Sequence, residues 1–463
     1  MTAPLILGTN SIKDAGYDVD NSLRFNSGSS EYLNRTNGTP TNNDICTFSF
    51  WIKLCRPSTN DAIFSAHTDG SNRHQLFHLS SGKMQFFHQV SGTANINLTT
   101  NRLFRDPSAW THVVWSVDTT QSTASDRIKI YFNGVQETSF ASSTYPDQNA
   151  ESKIFHDTNN RIGSQWNGTS STAHTGYMAE IVFIDGQQLD ANSFGEFDED
   201  SNIWKPKDVS ELTFGNNGFY LDFEDSSALG NDVSGNDNDF TVNNLTSIDQ
   251  TTDTCTNNFA TLNSAFNLSG TLSEGNLKYA TSDSYGSQGN TATSTIGVSS
   301  GKWYAEFKCG GTTGTFPNGM VGVYYNPEKF QNGTTNPAQS NDEGFGYAEN
   351  GNIYNNSSTS TGTTYTSGDI ISVALDLDGN KVYWYKNGTV VDSNGTAIDS
   401  GETYFFFIAD TSGSGGTTFE SNFGNPPFSI SSGNSDGNGY GNFEYSVPSG
   451  YYALNSKNLA EYG

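Results

Sequence analysis

A regular alternation of apolar and polar residues is the property that most restricts how this chain can fold. The segment 47–54 (TFSFWIKL) places its two Phe, its Ile and its Leu on one side of a strand. Segments 128–132 (IKIYF) and 371–377 (ISVALDL) alternate in the same way. Successive side chains of a strand point to opposite faces, so the pattern predicts antiparallel sheets that each bury one face. We therefore expect an all-β chain built from β-sandwiches.

Turn signals follow the alternating segments. Asn-Gly tolerates the positive φ angles of the tight turn whose twist matches a hairpin, so these pairs predict two-residue hairpin turns. The pairs are Asn133-Gly134, Asn387-Gly388, Asn350-Gly351 and Ser81-Gly82. With the last pair as a two-residue turn, His78 lies opposite Gln85 and His88 opposite Gln75, on different faces of the sheet. Metal binding by these histidines is then not expected.

Composition and charge exclude several classes of function. The chain has 463 residues, 22 basic against 49 acidic, and a net charge of −27. Such a chain is repelled by nucleic-acid phosphates and by anionic lipid. Its longest apolar runs have about five residues, too short for a membrane-spanning helix. We expect neither nucleic-acid binding nor membrane insertion.

The four cysteines do not suggest a disulfide framework. Cys46 and Cys55 bracket one predicted strand, whose ends lie ~30 Å apart at ~3.3 Å per residue, so they cannot bridge. Free thiols are expected, which fits assembly in a reducing cytoplasm.

Composition divides the chain into four parts, and the short acidic segment 190–203 is expected to form one or two helical turns that end the first domain. The expected parts are an N-terminal arm (1–20), a first β domain (21–205), a polar connector with short strands (206–290) and a second β domain (291–463).

Two parts of the chain resemble known families. Residues 21–205 resemble a laminin-G or concanavalin-A-like jelly roll, through SLRFNSGSSEYL, TFSFWIKL, WTHVVWSVD, IKIYFNGV and GYMAEIVFIDGQQL. Residues 301–463 resemble a SPRY domain, through GKWYAEFK, VGVYY, GFGYAENGNIY, YTSGDIISVALDLDGNKVYWYKNGT and GYYALNSKNL. The resemblance implies two antiparallel β-sandwich binding modules.

The pairing of these domains also resembles virion structural proteins of tailed bacteriophages of marine bacteria, as do the phrases GFYLDFEDSS, GNDVSGNDNDFTVNNL and DTCTNNFATLN. It implies a non-enzymatic tail-fibre or tail-associated module that recognises a host surface glycan or receptor. The alternative is a decoration protein of capsid or tail, a cement or head-fibre protein that binds only neighbouring virion subunits. A third possibility is a polysaccharide depolymerase.

The depolymerase needs two carboxylates at a defined separation. One enzyme branch of the jelly-roll fold carries Glu-x-Asp-x-x-Glu on one strand. The nearest match here is Glu196-Phe197-Asp198, and the third position is Ser201. No catalytic residue is therefore assigned.

Three residues of polar loops are candidate ligand contacts in the first domain. Trp166 and Asn167 lie in GSQWNGTSSTAHTG, and Tyr145 lies in STYPDQN. An exposed aromatic ring beside amide groups suits a sugar ring; packing at the rim of the sandwich is the alternative. In the second domain the long loop 325–343, with Tyr325 and Phe330, and the segment 354–365, with Tyr354, are candidate partner loops or variable surface.

Cofactors and partners follow from these assignments. No cofactor is expected except Ca²⁺, for which Asp232, Asp237 and Asp239 supply oxygen ligands; the same residues also suit turns. The arm carries Leu5, Ile6 and Leu7 and is expected to contact other virion subunits. A host polysaccharide or protein and further copies of the chain complete the partners, and the virion, assembled in the host cytoplasm, is the expected location.

Overall fold

The computed structural model describes residues 16–463, except 153, 156–158, 166–171, 269, 282–289, 313–318, 329–337, 340–341 and 411–415. Strands dominate this part, which confirms the all-β prediction. The described helices are short: α1 is Ala124–Arg127 and α2 is Ser456–Tyr462. One compact unit spans Asp14–Thr256, and a second contains Asn257–Gly463.

Two antiparallel sheets form the first unit. Sheet A contains β1 (Ser22–Phe25), β3 (Ile45–Leu54), β8 (Trp110–Asp118), β9 (Ile128–Phe132), β10 (Val135–Glu137), β13 (Gly176–Asp185), β16 (Phe219–Leu221) and β18 (Gln250–Thr251). Sheet B contains β2 (Tyr32–Thr36), β4 (Asp61–Asp69), β5 (Asn72–His78), β6 (Met84–Val90), β7 (Thr93–Thr100), β11 (Phe140–Thr144), β12 (Asn159–Ile162) and β17 (Thr241–Asn243).

The strand order shows how the sheets are assembled. Sheet A runs β10-β9-β8-β3-β13-β1-β18, with β16 also paired to β13. Sheet B runs β11-β7-β6-β5-β4-β12-β2-β17. The apolar side of β3 faces the core between the sheets, where the Phe48 ring lies 5.5 Å from the Phe64 ring of β4. The alternation in β3 therefore predicted the inward face correctly.

The outer face of sheet A departs from the expectation of one buried face for each sheet. Trp51 and Lys53 lie on this face of β3, and both are buried. A second apolar cluster covers them, with Trp110, Tyr177 and Trp204 among its members. The alternation did not indicate this outer layer, because the polar residues of β3 that face it are buried as well.

An ion pair without solvent contact lies in this outer layer. Lys53 Nζ is 2.7 Å from Asp253 Oδ2, and both side chains are fully buried. The other carboxylate oxygen of Asp253 accepts a hydrogen bond from Trp110 Nε1 at 3.1 Å. Asp253 is distant in sequence from both partners, so these contacts tie the end of the first unit to its central strands.

The unit boundary lies elsewhere than the expected connector of 206–290 suggested. Strands β16, β17 and β18 pair with β13, β2 and β1, so residues up to Thr256 belong to the first sandwich. These strands are only two or three residues long, too short to show alternation. At the other end, the Val19 amide donates to Thr256 Oγ1 at 3.0 Å, so residues 16–20 also pack on this unit. Residues 1–15 of the expected arm lie outside the described residues.

Of the one or two helical turns expected at 190–203, the structure contains a single 3₁₀ turn, and a hairpin follows it. The turn, Ala191–Ser193, is capped by Asp190, whose carboxylate accepts the Asn192 amide. Strands β14 (Gly195–Phe197) and β15 (Trp204–Pro206) then pair with each other. The Trp204 indole donates to His112 Nδ1 at 3.1 Å in the buried outer layer, and this tertiary contact outweighs the local helix pattern.

The turns at Asn133-Gly134 and Asn387-Gly388 behave as predicted, whereas those at Asn350-Gly351 and Ser81-Gly82 do not. At Asn350-Gly351 only Gly351 has a positive φ, and residues 349–351 form a three-residue loop between β25 and β26. Asn133 and Gly134 have φ angles of 47° and 80°, as a type I′ turn requires. At Ser81-Gly82, only Gly82 has a positive φ, and the Leu79 amide bonds the Lys83 carbonyl around a three-residue loop. The register moves by one residue, which turns every side chain to the other face.

The shifted register changes the arrangement of the histidines. His74 lies opposite His88, with ring centroids 4.7 Å apart, and His78 lies opposite Met84. The three histidines therefore share one face of sheet B instead of lying on two. That face is the inner one, where the His74 ring meets Trp115 edge-on.

The second unit is also a sandwich of two sheets. Sheet C contains β19 (Leu262–Leu268), β22 (Asn290–Ser294), β24 (Gly319–Tyr324), β25 (Gly344–Ala348), β26 (Asn352–Tyr354), β27 (Ser358–Ser360) and β32 (Phe405–Asp410). Sheet D contains β20 (Thr271–Ser273), β21 (Lys278–Ala280), β23 (Lys302–Thr312), β28 (Ile370–Asp376), β29 (Lys381–Lys386), β30 (Thr389–Val390), β31 (Thr396–Ala397), β33 (Thr417–Asn422) and β34 (Tyr452–Ala453).

The order of sheet C is β19-β22-β32-β24-β25-β26-β27. The order of sheet D is β20-β21-β33-β23-β28-β29-β30, with β31 on β29 and β34 parallel to β23. Trp303, Val373 and Trp384 point from sheet D into the core. The Trp384 indole donates to the Val321 carbonyl at 3.1 Å, which links the two sheets.

The buried ion pair can be tested with Asp253→Ala. The substitution removes a carboxylate that faces the Lys53 ammonium, and it should lower the free energy of unfolding of the first unit by about 3–5 kcal/mol. Urea denaturation followed by tryptophan fluorescence measures the change, with the exposed Asp200→Asn as the control. A loss below about 1 kcal/mol would show that the pair does not anchor this segment.

The packing of Trp204 on the Asn133-Gly134 turn can be tested with two glycines. A Cβ on Gly134 would lie 2.3 Å from Trp204 Cε3, whereas a Cβ on Gly92 would meet nothing within 4 Å at nearly the same φ of +82°. Gly92→Ala reports backbone strain alone. Gly134→Ala should cost about 1–3 kcal/mol more, because it also overpacks the outer layer. Equal losses in thermal unfolding would contradict this packing.

Candidate functional site

The outer face of sheet D carries aromatic and acidic side chains. Because Trp303 and Trp384 point into the core, their neighbours Tyr304, Tyr383 and Tyr385 face outward from β23 and β29. The segment 440–451 lies over this face, where the Phe443 ring meets Tyr304 edge-on at 5.1 Å. A sheet face that the alternation predicted as polar is therefore largely aromatic.

A cleft opens where this cover meets the hairpin of β29 and β30. Its volume is about 310 Å³. The lining residues are Tyr304, Tyr385, Asn387, Gly388, Thr389, Tyr445, Ser446 and Pro448. We call it the tyrosine cleft. One wall is the Asn387-Gly388 turn, and the other is the segment 445–448.

The turn chemistry explains why the two walls meet closely. Asn387 and Gly388 have φ angles of 47° and 77°, so the hairpin turns tightly. A Cβ on Gly388 would lie 2.7 Å from Tyr445 Cδ1, so the absence of a side chain allows the Tyr445 ring to lie against the turn.

A buried carboxylate holds the second wall. Glu306 is fully buried on the outer face of β23. Its Oε1 accepts the Tyr445 amide at 2.9 Å and the Tyr304 phenol at 3.1 Å. Its Oε2 accepts the Glu444 amide at 2.9 Å and Asn422 Nδ2 at 3.2 Å. We call this arrangement the Glu306 clamp.

The groups of the cleft are neutral hydrogen-bonding groups near pH 7. Burial raises the pKa values of the Tyr304, Tyr385 and Tyr445 phenols above that of free tyrosine. Burial also raises the pKa of Glu306 to about 7, against the lowering effect of its four donors. None of the described residues that line the cleft has a charged side chain.

This arrangement suits binding better than catalysis. Tyrosine offers an apolar ring face and a polar tip, and the Asn, Thr and Ser groups offer directional hydrogen bonds. Hydrolysis of a glycoside needs two carboxyl groups facing one bond, and the described lining contains none.

The near-match to the carboxylate motif lies in the first unit as an acidic turn. Glu196 and Asp198 both lie 3.6 Å from Lys205 Nζ. Asp198 also accepts hydrogen bonds from the backbone and hydroxyl of Ser201. These contacts stabilise the hairpin of β14 and β15.

The predicted ligand residues of the first domain are only partly described. Trp166 and Asn167 lie outside the described residues. Tyr145 packs half-buried against the core between sheets A and B, and burial raises the pKa of its phenol. Its contacts fit the alternative of packing at the rim.

The predicted ligand residues of the second domain have separate partners. The Tyr325 phenol donates to Asp399 Oδ2 at 3.2 Å, and its ring lies edge-on to Tyr404. The Tyr354 phenol accepts a hydrogen bond from Asn350 Nδ2 at 2.9 Å. Phe330 lies outside the described residues. None of these residues lines the tyrosine cleft.

The candidate calcium ligands form a turn. The Asp232 carboxylate accepts the backbone amides of Tyr220, Ser234 and Asn238 and the Ser234 hydroxyl. Asp239 accepts the Asp232 amide, and Asp237 is exposed with a φ of 55°. No group of three or more His, Cys, Asp or Glu among the described residues is placed to hold a metal. The structure thus gives the calcium hypothesis no support.

Sequence reasoning missed the tyrosine cleft. The signal was present in KVYWYK (381–386), where Val382 and Trp384 alternate with Tyr383 and Tyr385. Two large aromatic residues on the side opposite a buried Trp indicate a covered or functional outer face. The clamp had no such signal, because Glu306 and Tyr445 are far apart in sequence.

The family comparisons agree with this architecture. Residues 26–189 match the family model of the concanavalin A-like lectin/glucanases superfamily, and residues 302–426 match that of the SPRY domain. The chain therefore contains a concanavalin A-like domain and a SPRY domain, both β-sandwiches of a kind that typically serves as a binding module.

Comparisons with curated proteins and solved structures give no further information on function. No curated protein matches the chain. The SPRY domain of human HERC1 is 17% identical. The match covers 35% of this chain and 96% of the HERC1 domain, with a TM-score of 0.29. The heptameric SAP-like pentraxin from Limulus polyphemus is 16% identical. The match covers 37% of this chain and 79% of the pentraxin chain, with a TM-score of 0.27. At these scores the similarities carry no argument. No described helix is long and apolar enough to cross a membrane.

Proposed function

We propose that this protein is a non-enzymatic adhesion module of a virion, a tail-fibre or tail-associated component that binds a neutral glycan of the host surface. The tyrosine cleft of the second unit is its ligand site. The domain pairing and the polar sequence segments between the domains resemble bacteriophage virion proteins. This resemblance supports the virion location and assembly in the host cytoplasm.

The observation that carries the proposal is the chemistry of the cleft. Its described lining combines tyrosine rings with amide and hydroxyl groups and has no charged side chain. A chain with a net charge of −27 repels anionic ligands over a long range, and this cleft offers no cation to offset that repulsion. A neutral ligand rich in hydroxyl groups and with apolar ring faces fits both properties.

One further feature supports glycan recognition. The first unit matches a family model whose description names both lectins and glucanases, two kinds of protein that recognise glycans. Single sites of this kind are weak, so we propose that several copies of the chain act together on the particle and gain avidity.

Glycan binding can be tested on an array of neutral oligosaccharides. Tyr385→Ala and Tyr445→Ala should each lower the affinity about tenfold or more, because each removes an aromatic anchor from the cleft. Tyr354→Ala, in the same unit but outside the cleft, should bind like the natural protein. If Tyr354→Ala loses binding while the two cleft variants keep it, the ligand site is elsewhere in this unit.

The proposed role of the arm can be tested by a deletion that ends at residue 15. Tyr17 and Val19 contact the first unit, so a longer deletion would also disturb that sandwich. The shortened protein should keep its thermal stability and glycan binding but fail to enter particles, as measured by immunoblotting of purified virions. Normal incorporation would exclude the arm as the attachment point, and hundreds of copies spread over the head would exclude the tail-associated location.

A further inference from the structure

Sheet B has an outer face that differs from the outer face of sheet A. The inward side chains of β5 and β6 include Leu76 and Phe86, so their neighbours Gln75 and Phe87 point outward and lie opposite each other. An apolar cluster covers the outer face of sheet A, whereas the described residues form no such cluster over sheet B. The outward side chains of sheet B are therefore candidates for contacts outside the chain.

The strand register brings two arginines to the middle of this face. Arg161 of β12 lies opposite Ser65 of β4, which lies opposite Gln75 of β5. Arg73 of β5 lies opposite His67, two residues further along β4. The two arginines thus flank β4 from its two neighbouring strands, and both side chains are partly exposed.

Each guanidinium group lies over an aromatic ring. Arg161 Cζ is 4.4 Å from the centre of the Tyr32 ring, and Arg73 Cζ is 5.2 Å from the centre of the Phe87 ring. Stacking on a ring fixes the plane of the guanidinium. Its planar fork is the geometry that holds a carboxylate or a similar oxyanion through two parallel hydrogen bonds. We call Tyr32, His67, Arg73, Phe87 and Arg161 the arginine face.

The described residues do not neutralise these two cations. Arg161 donates to the Gln165 carbonyl at 3.2 Å, and Arg73 donates to Gln89 Oε1 at 3.4 Å, so both acceptors are neutral oxygens. A guanidinium has five N–H donors, which leaves donors of each arginine for an anion. Other arginines of this unit do form ion pairs with carboxylates; they are Arg24, Arg56 and Arg102.

His67 lies on the strand between the two guanidinium groups and responds to their charge. Its Nε2 is 3.1 Å from Gln75 Nε2. Burial and then the charge of Arg73 lower the pKa of His67 to about 3, and the charge of Arg161 adds to this effect. Each arginine charge affects this histidine more than the charge of Asp69 at the end of β4. The middle of the face is therefore positive, in a chain whose net charge is −27.

The surroundings of the two arginines favour a glycan over an acidic protein segment. Strands β4, β5 and β12 are interior strands of sheet B, so their backbone groups are paired and cannot take up an added strand. Amide groups, which suit the hydroxyl groups of sugars, project from the same face. They belong to Asn34, Gln85, Gln89, Asn97 and Asn159.

The net charge of the chain does not prevent an anion from binding here. Salt screens exposed charges beyond about 8 Å at physiological ionic strength, so distant carboxylates act weakly on a group in contact with the face. The two arginines then decide the sign of the interaction.

We propose that the arginine face of the first unit is a second ligand site, which binds an acidic polysaccharide through its carboxylate or sulfate groups. Arg73 and Arg161 hold the anionic groups, and the amide side chains contact the sugar hydroxyls. The inference goes beyond the proposed function, because it concerns the other unit and a charged ligand. It does not depend on the tyrosine cleft.

Biolayer interferometry of the full chain on immobilised polygalacturonate and dextran sulfate tests this site. The natural protein should bind at least one of them, with an affinity that falls as salt is added. Arg73→Gln and Arg161→Gln should each lower the affinity about tenfold or more, because each removes charge-assisted hydrogen bonds to the ligand. Binding to polygalacturonate alone would identify carboxylate as the recognised group, and binding to dextran sulfate alone would identify sulfate.

Two control variants separate this site from general charge effects and from the tyrosine cleft. Arg105→Gln makes the same charge change at an exposed arginine beside the loop between β5 and β6, where its Nη2 lies 3.3 Å from the Ser81 carbonyl. It should bind like the natural protein. Tyr385→Ala, which alters the tyrosine cleft, should also keep this binding. Thermal unfolding should be unchanged in both variants of the arginine face, since neither arginine has a carboxylate partner among the described residues.

The outcomes that would overturn the inference are distinct. If neither acidic polysaccharide binds, or if Arg73→Gln and Arg161→Gln bind as tightly as Arg105→Gln, the arginine face is not a site for acidic glycans. Polyglutamate tests the competing class of ligand. If it binds as tightly as the polysaccharides and the same two variants lose it, the face recognises acidic protein segments instead. Failure of the proposed function would appear separately, as an absence of binding to neutral oligosaccharides.

Discussion

The buried pair of Lys53 and Asp253 is the interaction on which the extent of the first unit depends. A charged group in a dry interior is tolerated only when a partner of opposite charge and further hydrogen bonds compensate it. Lys53 lies on a central strand of sheet A, so its ammonium needs an acceptor at that place. Asp253 supplies it from a segment that looks like a polar connector in the sequence. The ion pair thus requires that segment to complete the sandwich.

The second unit also contains a buried carboxylate, but its hydrogen-bond partners are neutral groups. There, too, a late segment covers the outer face of a central sheet, and a buried carboxylate holds it in place. Asp253 faces an ammonium, whereas Glu306 faces two backbone amides, a phenol and a carboxamide. Neutral donors compensate a buried charge less completely than a cation does. Burial accordingly raises the pKa of Glu306 to about 7.

The sequence predicted the elements that depend on neighbouring residues. The alternating strands, the inward faces of β3 and β9 and the two type I′ Asn-Gly turns are all present. The errors had two origins, a local loop length and a contact between residues far apart in the sequence. A three-residue loop at Ser81-Gly82 shifted a register by one. In the segment 190–203, a hairpin held by the contact between Trp204 and His112 follows a single 3₁₀ turn. The predicted ligand residues were chosen mainly as aromatics in polar loops, and those that are described make contacts outside the cleft.

By itself, the sequence determined an all-β chain with two sandwich domains and an acidic surface that disfavours anionic partners. These properties follow from alternation, turn chemistry and net charge, which are local or additive. Only the tertiary structure decided where the first unit ends, that one face of each of sheets A and D is covered by a second layer, and that Tyr304, Tyr385 and Tyr445 meet in one cleft. Those outcomes depend on the pairing of residues far apart in the chain, and compensation of a buried charge by a distant donor leaves no periodic pattern in the sequence.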